Sequence, residues 1–371
     1  MKNRKPLNIL VWPLSTPNNS YPSALNGHLA KRAKVSGVVR GKALVLQVLK
    51  ERFDILQIHW LESPFWTRKS LILKFVLASI VSLLILKMKG GKIVWTAHDP
   101  VPHEMQGNEV LAHGFYGWLW RTYSAFVIHL TDGVILLSKT HGPDIVMRYP
   151  RLAARFSTVI PHPHYRGVYP DDIAREDARI SLAMTDGQPT LLFLGNVRPY
   201  KNAEGLIAAF RASTANARLI IAGEVENENY VKTLRALSGN DPRIELKLDY
   251  IPDDMLQLYL RAADVVVIPF RHVTNSGSVM LALSFDCPVA IPRVPVFEEL
   301  HDSVGDAWIK LFDGEIAAPT IEDIVSWAQT DRSPQPNLDS YDWETIADKT
   351  VEFFQAIRAG SAKRLQQFSG G

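Results

Sequence analysis

The second half of the chain contains the segment Thr190-Leu-Leu-Phe-Leu-Gly195-Asn-Val-Arg198-Pro-Tyr-Lys201-Asn202. A short apolar run that stops at a glycine predicts a buried strand, and the residues from Ala203 to Arg211 that follow predict a helix. Strand, glycine turn and helix are typical of the first unit of a doubly wound α/β sheet. Arg198 and Lys201 would then lie beside a helix N-terminus, where a diphosphate binds well. The alternative is that they are two solvated basic residues in an ordinary turn.

The same alternation of apolar runs and helix-length segments extends along the rest of the chain. Strands are predicted at 8–12, 54–59, 92–98, 132–138, 190–195, 217–223, 243–248, 264–269 and 288–291, and helices at 203–211, 228–237, 253–261, 279–285 and 342–358. Loops are predicted at 15–23, and at 165–187 as a linker. Strands that alternate with helices favour parallel sheets covered on both faces. We therefore predict an α/β protein with two Rossmann-like, doubly wound parallel-sheet domains that face a cleft.

Composition restricts the class of protein. The 371 residues are 47% hydrophobic and 21% charged, which excludes a disordered, collagenous or coiled-coil chain. Cys287 is the single cysteine of the sequence, so neither an internal disulfide nor a structural zinc site is expected, and a reducing compartment is favoured. The first apolar run, Leu7–Trp12, is too short for the core of a signal peptide. We therefore expect a cytoplasmic protein.

Charge is divided unevenly along the chain. Residues 1–170 carry 22 Lys and Arg against 8 Asp and Glu, a balance of +14, and the remainder has a balance of −11. This asymmetry predicts that the first half faces something anionic, such as a phospholipid surface or a phosphorylated acceptor. A nucleic-acid partner is not expected, because no helix-turn-helix, zinc-finger or RNA-binding signature accompanies the charge.

The longest apolar stretch is Leu71–Leu86, with the basic residues Arg68, Lys69, Lys87 and Lys89 around it. At about 1.5 Å per residue, its 16 residues reach about 24 Å, less than the roughly 30 Å hydrocarbon core of a bilayer. We therefore predict a helix that is buried or lies at an interface rather than one that spans a membrane.

Two further loops carry residues suited to chemistry. Asn275, Ser276, Gly277 and Ser278 follow a predicted strand and precede a helix, so their backbone N–H groups would cradle phosphate oxygens. Simple N-capping by Asn or Ser explains the same residues without a ligand.

The segment Thr96–Glu104 brings four titratable side chains together at the end of another strand. Within it, Asp99 or His98 would serve as a general base, although a histidine after a strand is also an ordinary hydrogen-bonding residue. His59 and Trp60, at a third strand end, are candidates for a substrate contact.

Together these segments resemble the GT-B glycosyltransferases, in particular glycosyltransferase family 4 and bacterial exopolysaccharide β-mannosyltransferases. The resemblance implies a site for the donor diphosphate and a site for its nucleotide. The diphosphate residues would be Arg198, Lys201, Asn275, Ser276, Gly277 and Ser278. The nucleotide residues would be Gly195, Glu224, Tyr250 and Ile251.

The resemblance also implies domain roles. Residues 1–165 would form a basic, membrane-facing domain that binds the acceptor, and residues 166–340 would bind the nucleotide sugar. Residues 341–371, including Trp343, would form a helical segment that crosses back to the first domain. The acceptor residues would be Asn19, Tyr21, His59 and Trp60.

One feature departs from family 4. No glutamate occurs in Thr274–Val289, where members of that family carry two that bind the donor sugar and the ribose. In this respect the chain is similar to β-mannosyltransferases that invert the anomeric configuration, and an inverting reaction needs a base such as Asp99, with His98 as second choice. No Asp-X-Asp metal motif is present, so we expect no metal and expect cationic side chains and helix ends to neutralise the leaving diphosphate.

The function predicted in this way is transfer of a hexose from a nucleotide sugar to a lipid-diphosphate-linked oligosaccharide, in exopolysaccharide or glycan biosynthesis. The donor is expected to be GDP-mannose rather than a UDP-sugar, with no other cofactor, and the enzyme is expected on the inner face of the cell membrane as a peripheral protein. Two alternatives stay open: a sugar-nucleotide epimerase, and a catalytically silent subunit that binds lipid or a partner enzyme.

Overall fold

The computed structural model describes residues 6–16, 19–38, 41–99, 114–184, 187–225 and 227–361. The chain divides into two compact units. Unit 1 comprises Met1–His162 together with Ser340–Gly371, and unit 2 comprises Pro163–Asp339. Each unit contains one six-stranded sheet in which all the paired strands are parallel.

The sheet of unit 1 is built from short apolar strands. They are β1 (Asn8–Trp12), β2 (Lys34–Gly37), β3 (Ile55–Ile58), β4 (Lys92–Ala97), β5 (Gly133–Leu136) and β6 (Phe156–Val159). Their order across the sheet is β2-β1-β3-β4-β5-β6, with Leu10 opposite Leu56 and Ile58 opposite Trp95. β3 and β5 are buried along their whole length, as expected for a parallel sheet that helices cover on both faces.

Within the described residues, unit 1 contains the following helices. They are α1 (Tyr21–Ala30), α2 (Gly41–Lys50), α3 (Lys69–Met88), α4 (Gly114–Leu130), α5 (His141–Arg148) and α13 (Trp343–Ala359). The chain moves in one direction across the sheet from β2 to β6, and parallel crossovers are right-handed, so α2 to α5 cover one face. α1 connects strands in the opposite direction and covers the other face, where it packs against α13.

The contact between α1 and α13 is reinforced by charge. Glu344, in the first turn of α13, forms ion pairs with Lys31 Nζ at 2.6 Å and Arg32 Nη2 at 2.7 Å, and its carboxylate lies 2.8 Å from His28 Nδ1. Trp343 stacks on His28 with 5.7 Å between ring centroids. The C-terminal helix is therefore part of unit 1.

The sheet of unit 2 is also doubly wound, but two strands rather than one follow its first strand on the shorter side. Its strands are β7 (Thr190–Leu194), β8 (Arg218–Ala222), β9 (Ile244–Lys247), β10 (Val265–Val267), β11 (Val289–Pro292) and β12 (Ile309–Phe312). The helices are α6 (Arg175–Ser181), α7 (Ala203–Ala212), α8 (Glu228–Ser238), α9 (Leu256–Ala262), α10 (Gly277–Ser284), α11 (Pro295–Val304) and α12 (Ala318–Ala328). The strand order is β12-β11-β10-β7-β8-β9.

Both sheets reverse their winding direction beside their first strand. In unit 1 this switch point lies between β1 and β3, and in unit 2 it lies between β7 and β10. Loops at the carboxyl ends of strands diverge at such a point and leave a crevice in which ligands bind. The winding therefore brings together the loops after β7 and β10, and separately those after β1, β3 and β4.

The predicted pair of doubly wound parallel sheets is confirmed, with several local corrections. β2, β6 and β12 were not predicted; each is four residues long and is interrupted by polar residues, and β2 is at most half-buried. The predicted loop at 15–23 ends early, because α1 begins at Tyr21. The predicted linker at 165–187 contains α6. α3 is longer than Leu71–Leu86: its 20 residues span about 30 Å, so the length argument against a membrane span was wrong.

Candidate active site

Two glycines bring two strand ends of unit 2 into backbone contact. Gly195 follows β7 with φ +109°, and Gly223 follows β8 with φ +144°. A Cβ at Gly223 would lie 2.1 Å from the carbonyl oxygen of Gly195. Any residue other than glycine would collide with that oxygen. A Cβ at Gly195 would lie 2.9 Å from Ser278 Oγ and 3.3 Å from Lys201 Nζ. The loop after β7 is therefore pressed against the neighbouring strand end.

Lys201 is a buried cation in this loop. It ends a short 3₁₀ turn, Pro199–Lys201, and Asn202 then caps α7 by accepting a hydrogen bond from Gly205 N at 3.2 Å. The side chain of Lys201 is 6% exposed and donates to Ser278 Oγ at 3.1 Å. Burial, together with the nearby Arg198 guanidinium, lowers the pKa of Lys201 to about 8. Within the described residues no carboxylate forms an ion pair with it, so its charge is available for an anionic ligand.

The loop after β10 supplies a helix start beside that lysine. Ser276 caps α10, its side chain accepting a hydrogen bond from Val279 N at 3.2 Å. Simple capping therefore accounts for Ser276, as the alternative interpretation expected. Capping does not explain the role of Ser278, because the Ser278 hydroxyl accepts a hydrogen bond from the buried Lys201 instead. Asn275, Gly277 and Ser278 are half-buried at this end of α10.

The two loops are also held together by groups that sequence reasoning missed. Arg271 donates its backbone N–H to Tyr200 O at 2.8 Å and pairs with Glu204 at 2.7 Å. The hydroxyl of Tyr230 hydrogen-bonds the other carboxylate oxygen of Glu204, which with burial raises the pKa of Tyr230. Nothing in the sequence separates these residues from ordinary surface charges, because they come from three distant segments.

Besides Gly195 after β7, the residues assigned to the nucleotide occupy the ends of the neighbouring strands β8 and β9. Glu224 is exposed directly after Gly223, and its backbone oxygen accepts from Val197 N at 2.8 Å. Tyr250 follows β9 and is 45% exposed, while Ile251 beside it is half-buried. Partial desolvation and nearby carboxylates, including that of Glu224, raise the pKa of Tyr250. The three side chains thus lie along one end of the sheet, and their role stays a prediction.

In unit 1 two histidines from neighbouring strand ends are paired. His59 follows β3 and His98 follows β4, and His59 Nδ1 lies 3.2 Å from His98 Nε2. Both rings are buried. Burial lowers the pKa of His59 to about 3, and burial with the neighbouring histidines lowers the pKa of His98 well below its ordinary value. Both imidazoles are therefore neutral at pH 7.

Tyr21 packs against this pair. Its ring meets His59 and His98 edge-on, with centroid distances of 5.6 and 5.3 Å, and lies 4.8 Å from His162. Asn19 accepts a hydrogen bond from Tyr21 N at 3.0 Å and thereby helps to start α1. Tyr21 is 3% exposed, so the structure gives it a packing role around the histidines. Sequence reasoning missed His162, which follows the unpredicted strand β6.

A small cavity opens beside the histidines. Trp60 stacks on His98 with 4.6 Å between centroids and an interplanar angle of 15°. The cavity is lined by His59, Trp60, Leu61, Glu62, Trp95, His98, Asp99, Trp120 and Tyr149. His59 Nε2 is buried with no hydrogen-bond partner in the described part of the chain. The lining combines aromatic rings with two carboxylates and two imidazoles, groups that suit a sugar, which presents apolar faces and hydroxyl edges.

Comparison with known proteins gives a family match within unit 2 and a relative that aligns over most of the chain. Residues 188–325, most of unit 2, match the family described as glycosyl transferases group 1. The chain is 28% identical over 306 residues to a GDP-mannose:glycolipid 4-beta-D-mannosyltransferase from Xanthomonas campestris pv. campestris, which covers 81% of this chain and 79% of the relative. The chain is a glycosyltransferase. Residues 188–325 form its group 1 domain.

Solved structures identify the fold of the glycosyltransferase as GT-B. Sucrose-phosphate synthase from Thermosynechococcus elongatus matches with a TM-score of 0.73 and 15% identity, covering 96% of this chain and 100% of that one. Anabaena Alr3699/HepE, solved in complex with UDP-glucose, matches with a TM-score of 0.63 and 14% identity, covering 95% and 99%. At this level of identity the likeness concerns the fold.

Among the residues that the structure describes, no cluster of three or more His, Cys, Asp or Glu side chains has the arrangement that holds a metal ion. Of the segment Thr96–Glu104, only Thr96 to Asp99 are described, so His103 and Glu104 lie outside the described residues.

Proposed function

We propose that the enzyme transfers mannose from GDP-mannose to the saccharide of a glycolipid, with inversion at the anomeric carbon and without a metal ion. The name of the Xanthomonas relative supports the donor and the acceptor class. The observation that carries the donor site is the buried Lys201, which contacts a serine hydroxyl at a helix start and has a second cation, Arg198, nearby. A lipid-linked saccharide acceptor implies that the enzyme works as a peripheral protein at a membrane surface.

The leaving group is GDP, whose β-phosphate gains negative charge as the sugar departs. Lys201, Arg198, the Ser278 hydroxyl and the first N–H groups of α10 would stabilise this charge, as preorganised donors do in low-dielectric sites. Glu224, Tyr250 and Ile251 would contact the nucleoside. No divalent ion is required in this proposal, because two cationic side chains and a helix end neutralise the diphosphate.

The acceptor hydroxyl needs a base, and the burial of His98 favours Asp99 for this role. Accepting a proton would make His98 an imidazolium, and its buried surroundings disfavour that charge. Asp99 is half-buried and lines the same cavity, where a carboxylate can take the proton as the new bond forms. His59, through its unpartnered Nε2, and Trp60, through its ring face, would position the acceptor sugar.

The reaction proposed is a single displacement. The acceptor oxygen attacks C1 of mannose from the face opposite the phosphate, and its O–H proton passes to Asp99. The C1–O bond to the β-phosphate breaks, and its electron pair leaves with GDP.

The test is mannosyl transfer with Asp99→Asn and His98→Gln, using GDP-mannose and a glycolipid extract and following the product by mass spectrometry. Loss of a general base typically costs about 10²- to 10⁴-fold in rate, so Asp99→Asn is expected to lower kcat by at least a hundredfold with little change in KM. His98→Gln is expected to cost less. Asp144→Asn, an exposed aspartate on α5, is the matched control.

Two results would contradict the proposal. Full turnover by Asp99→Asn would remove this carboxylate from the chemistry. A product that retains the α configuration of GDP-mannose, identified by proton NMR of the anomeric signal, would rule out the single displacement. Omitting the acceptor separates transfer from epimerisation, because an epimerase converts the donor alone.

A further inference from the structure

Unit 1 exposes a continuous set of large apolar side chains on the helices that cover one face of its sheet. We call this set the outer apolar face. It consists of Leu46 and Leu49 on α2, Trp66 before α3, Leu73, Leu77, Val81, Leu84 and Met88 on α3, and Phe115 and Trp118 on α4; each is between 41% and 79% exposed. Soluble monomers rarely expose contiguous apolar surface of this kind, and where they do it marks an interaction site.

α3 is central to the outer apolar face. Leu73, Leu77, Val81, Leu84 and Met88 recur at three- and four-residue intervals, so they form one stripe along the helix. The opposite stripe, which includes Ile72, Val76, Leu83 and Leu86, is buried in the core of unit 1. By length and composition α3 is long and apolar enough to cross a membrane, yet a third of its most apolar window is buried inside the protein. A helix with one side in the core presents only its other side to a partner.

The neighbouring helices extend the stripe sideways. α3 packs beside both α2 and α4, and Tyr116 OH at the start of α4 hydrogen-bonds Lys69 O at the start of α3. Phe115 and Trp118 therefore stand next to the N-terminal turn of α3, with 6.0 Å between their ring centroids. Helices in a parallel α/β unit begin at the carboxyl ends of the strands, so these aromatic rings lie toward the end of the sheet that carries the histidine cavity.

Charge identifies the occupant of the face. The sequences of α2, α3 and α4 contain no aspartate or glutamate. Lys50, Lys69, Lys74 and Arg121, on the same helices, are exposed. Leucines with tryptophan, phenylalanine and basic residues are the composition of surfaces that enter the headgroup region of anionic bilayers. Protein interfaces are, in contrast, depleted of lysine.

We infer that the outer apolar face docks onto an anionic lipid bilayer, with α3 lying along the membrane surface and its leucine stripe in the acyl boundary. The inference deepens the proposed function, on which its link to a lipid-borne acceptor rests. Trp66 lies 5.7 Å from Trp60, and Trp60 stacks on His98, so an unbroken row of rings connects the docked face to the cavity. A saccharide attached to a lipid would thereby reach the cavity without leaving the bilayer.

The experiment is flotation of the full-length protein with vesicles of phosphatidylcholine, alone or with about a third phosphatidylglycerol. The double variant Leu77→Gln/Leu84→Gln is expected to bind at least tenfold more weakly than the wild type, because each half-exposed leucine contributes severalfold to partitioning. The double variant Lys69→Gln/Lys74→Gln is expected to lose the preference for phosphatidylglycerol. Ile180→Gln, at a still more exposed apolar residue of unit 2, is the control.

The outcomes separate the docking surface from the transferase activity. The leucine variant is expected to keep wild-type GDP binding and wild-type transfer to a water-soluble acceptor with a truncated lipid, which also shows that it is folded. Flotation of the leucine variant equal to that of the wild type would overturn the inference. A wild-type dimer that the leucine variant converts to a monomer, with flotation unchanged, would assign the face to a second copy of the chain instead. Absence of mannosyl transfer in every assay, with flotation lost as expected, would refute the proposed function alone.

Discussion

Lys201→Met isolates the charge that the proposed donor site depends on. Methionine keeps the apolar stem of the buried side chain and removes the ammonium group that contacts Ser278 Oγ. Hydrogen bonds that involve a charged group contribute about 1.5–3 kcal/mol, so GDP is expected to bind about ten- to a hundredfold more weakly. Isothermal calorimetry with GDP measures this directly. Lys232→Met, at an exposed lysine on α8, is the control and is expected to bind GDP normally.

The pH dependence of GDP binding is a second signature of the same lysine. Its pKa in the free protein is about 8, and a bound diphosphate stabilises the protonated form, so binding is favoured below pH 8. As the pH rises from 7.5 to 9, affinity is expected to fall about five- to tenfold in the wild type. Lys201→Met is expected to show no such fall. Lys201→Arg is expected to bind GDP with an affinity that does not fall over this pH range, because arginine stays charged.

Removal of the Lys201 charge is expected to weaken GDP binding and to raise the stability of the folded protein. The folded-state pKa of Lys201 lies below its ordinary value of 10.5, so the buried charge destabilises the folded protein at pH 7, and this penalty disappears as the pH rises from about 8 to 10.5. At about 1.4 kcal/mol per unit, the penalty is at most about 3.5 kcal/mol. Lys201→Met is therefore expected to raise the thermal unfolding midpoint at pH 7. Unchanged GDP affinity in a stabilised variant would refute the donor assignment, because the lysine would then be a structural residue only.

Two further predictions concern the scaffold of the two units. Gly223→Ala is expected to destabilise unit 2 by about 3 kcal/mol or more, since its Cβ would collide with Gly195 O, whereas Gly27→Ala, in an open position on α1, is expected to be neutral or stabilising in urea unfolding. Ion pairs with Lys31 and Arg32 lower the pKa of Glu344 to about 2, so its contribution is present above pH 4.5 and lost as the pH falls toward 2. The difference in unfolding midpoint between the wild type and Glu344→Gln is expected to shrink over that range; a constant difference would mean that the pairs do not hold α13 on α1.

The sequence was sufficient for the elements whose apolar runs are long and clearly bounded. β1 was predicted to the residue, and β7 and α7 to within one residue, because glycine or proline ends each run and Asn202 caps the helix. β6 and β12 escaped because four-residue strands at or near the edge of a sheet carry too little pattern to separate them from loops.

Contacts between distant segments were beyond the sequence. The spacing of Lys201 and Ser278 does not reveal that a 3.1 Å hydrogen bond joins them, because the parallel winding that brings β7 beside β10 decides it. The pairing of His59 with His98 has the same origin in β3 and β4. The length of α3 was misjudged for a different reason: Lys69, Ser70 and Lys87 bound the apolar run in the sequence, yet all three lie within the helix.

Three departures from ordinary burial distinguish this protein, and each lies where a ligand is proposed. A lysine is buried with a hydroxyl as its partner, two histidines are buried at the cost of their basicity, and a stripe of leucines is left in water. Each arrangement makes the ligand-free protein less stable than an apolar core and a polar surface would, and packing alone explains none of them. A bound diphosphate would compensate the buried lysine, a bound sugar the two histidines, and a bilayer the exposed leucines. Substitutions that remove these departures are therefore expected to stabilise the protein or leave its stability unchanged. Each is expected to weaken the binding of one of these ligands. Substitutions in an ordinary core, in contrast, lower stability.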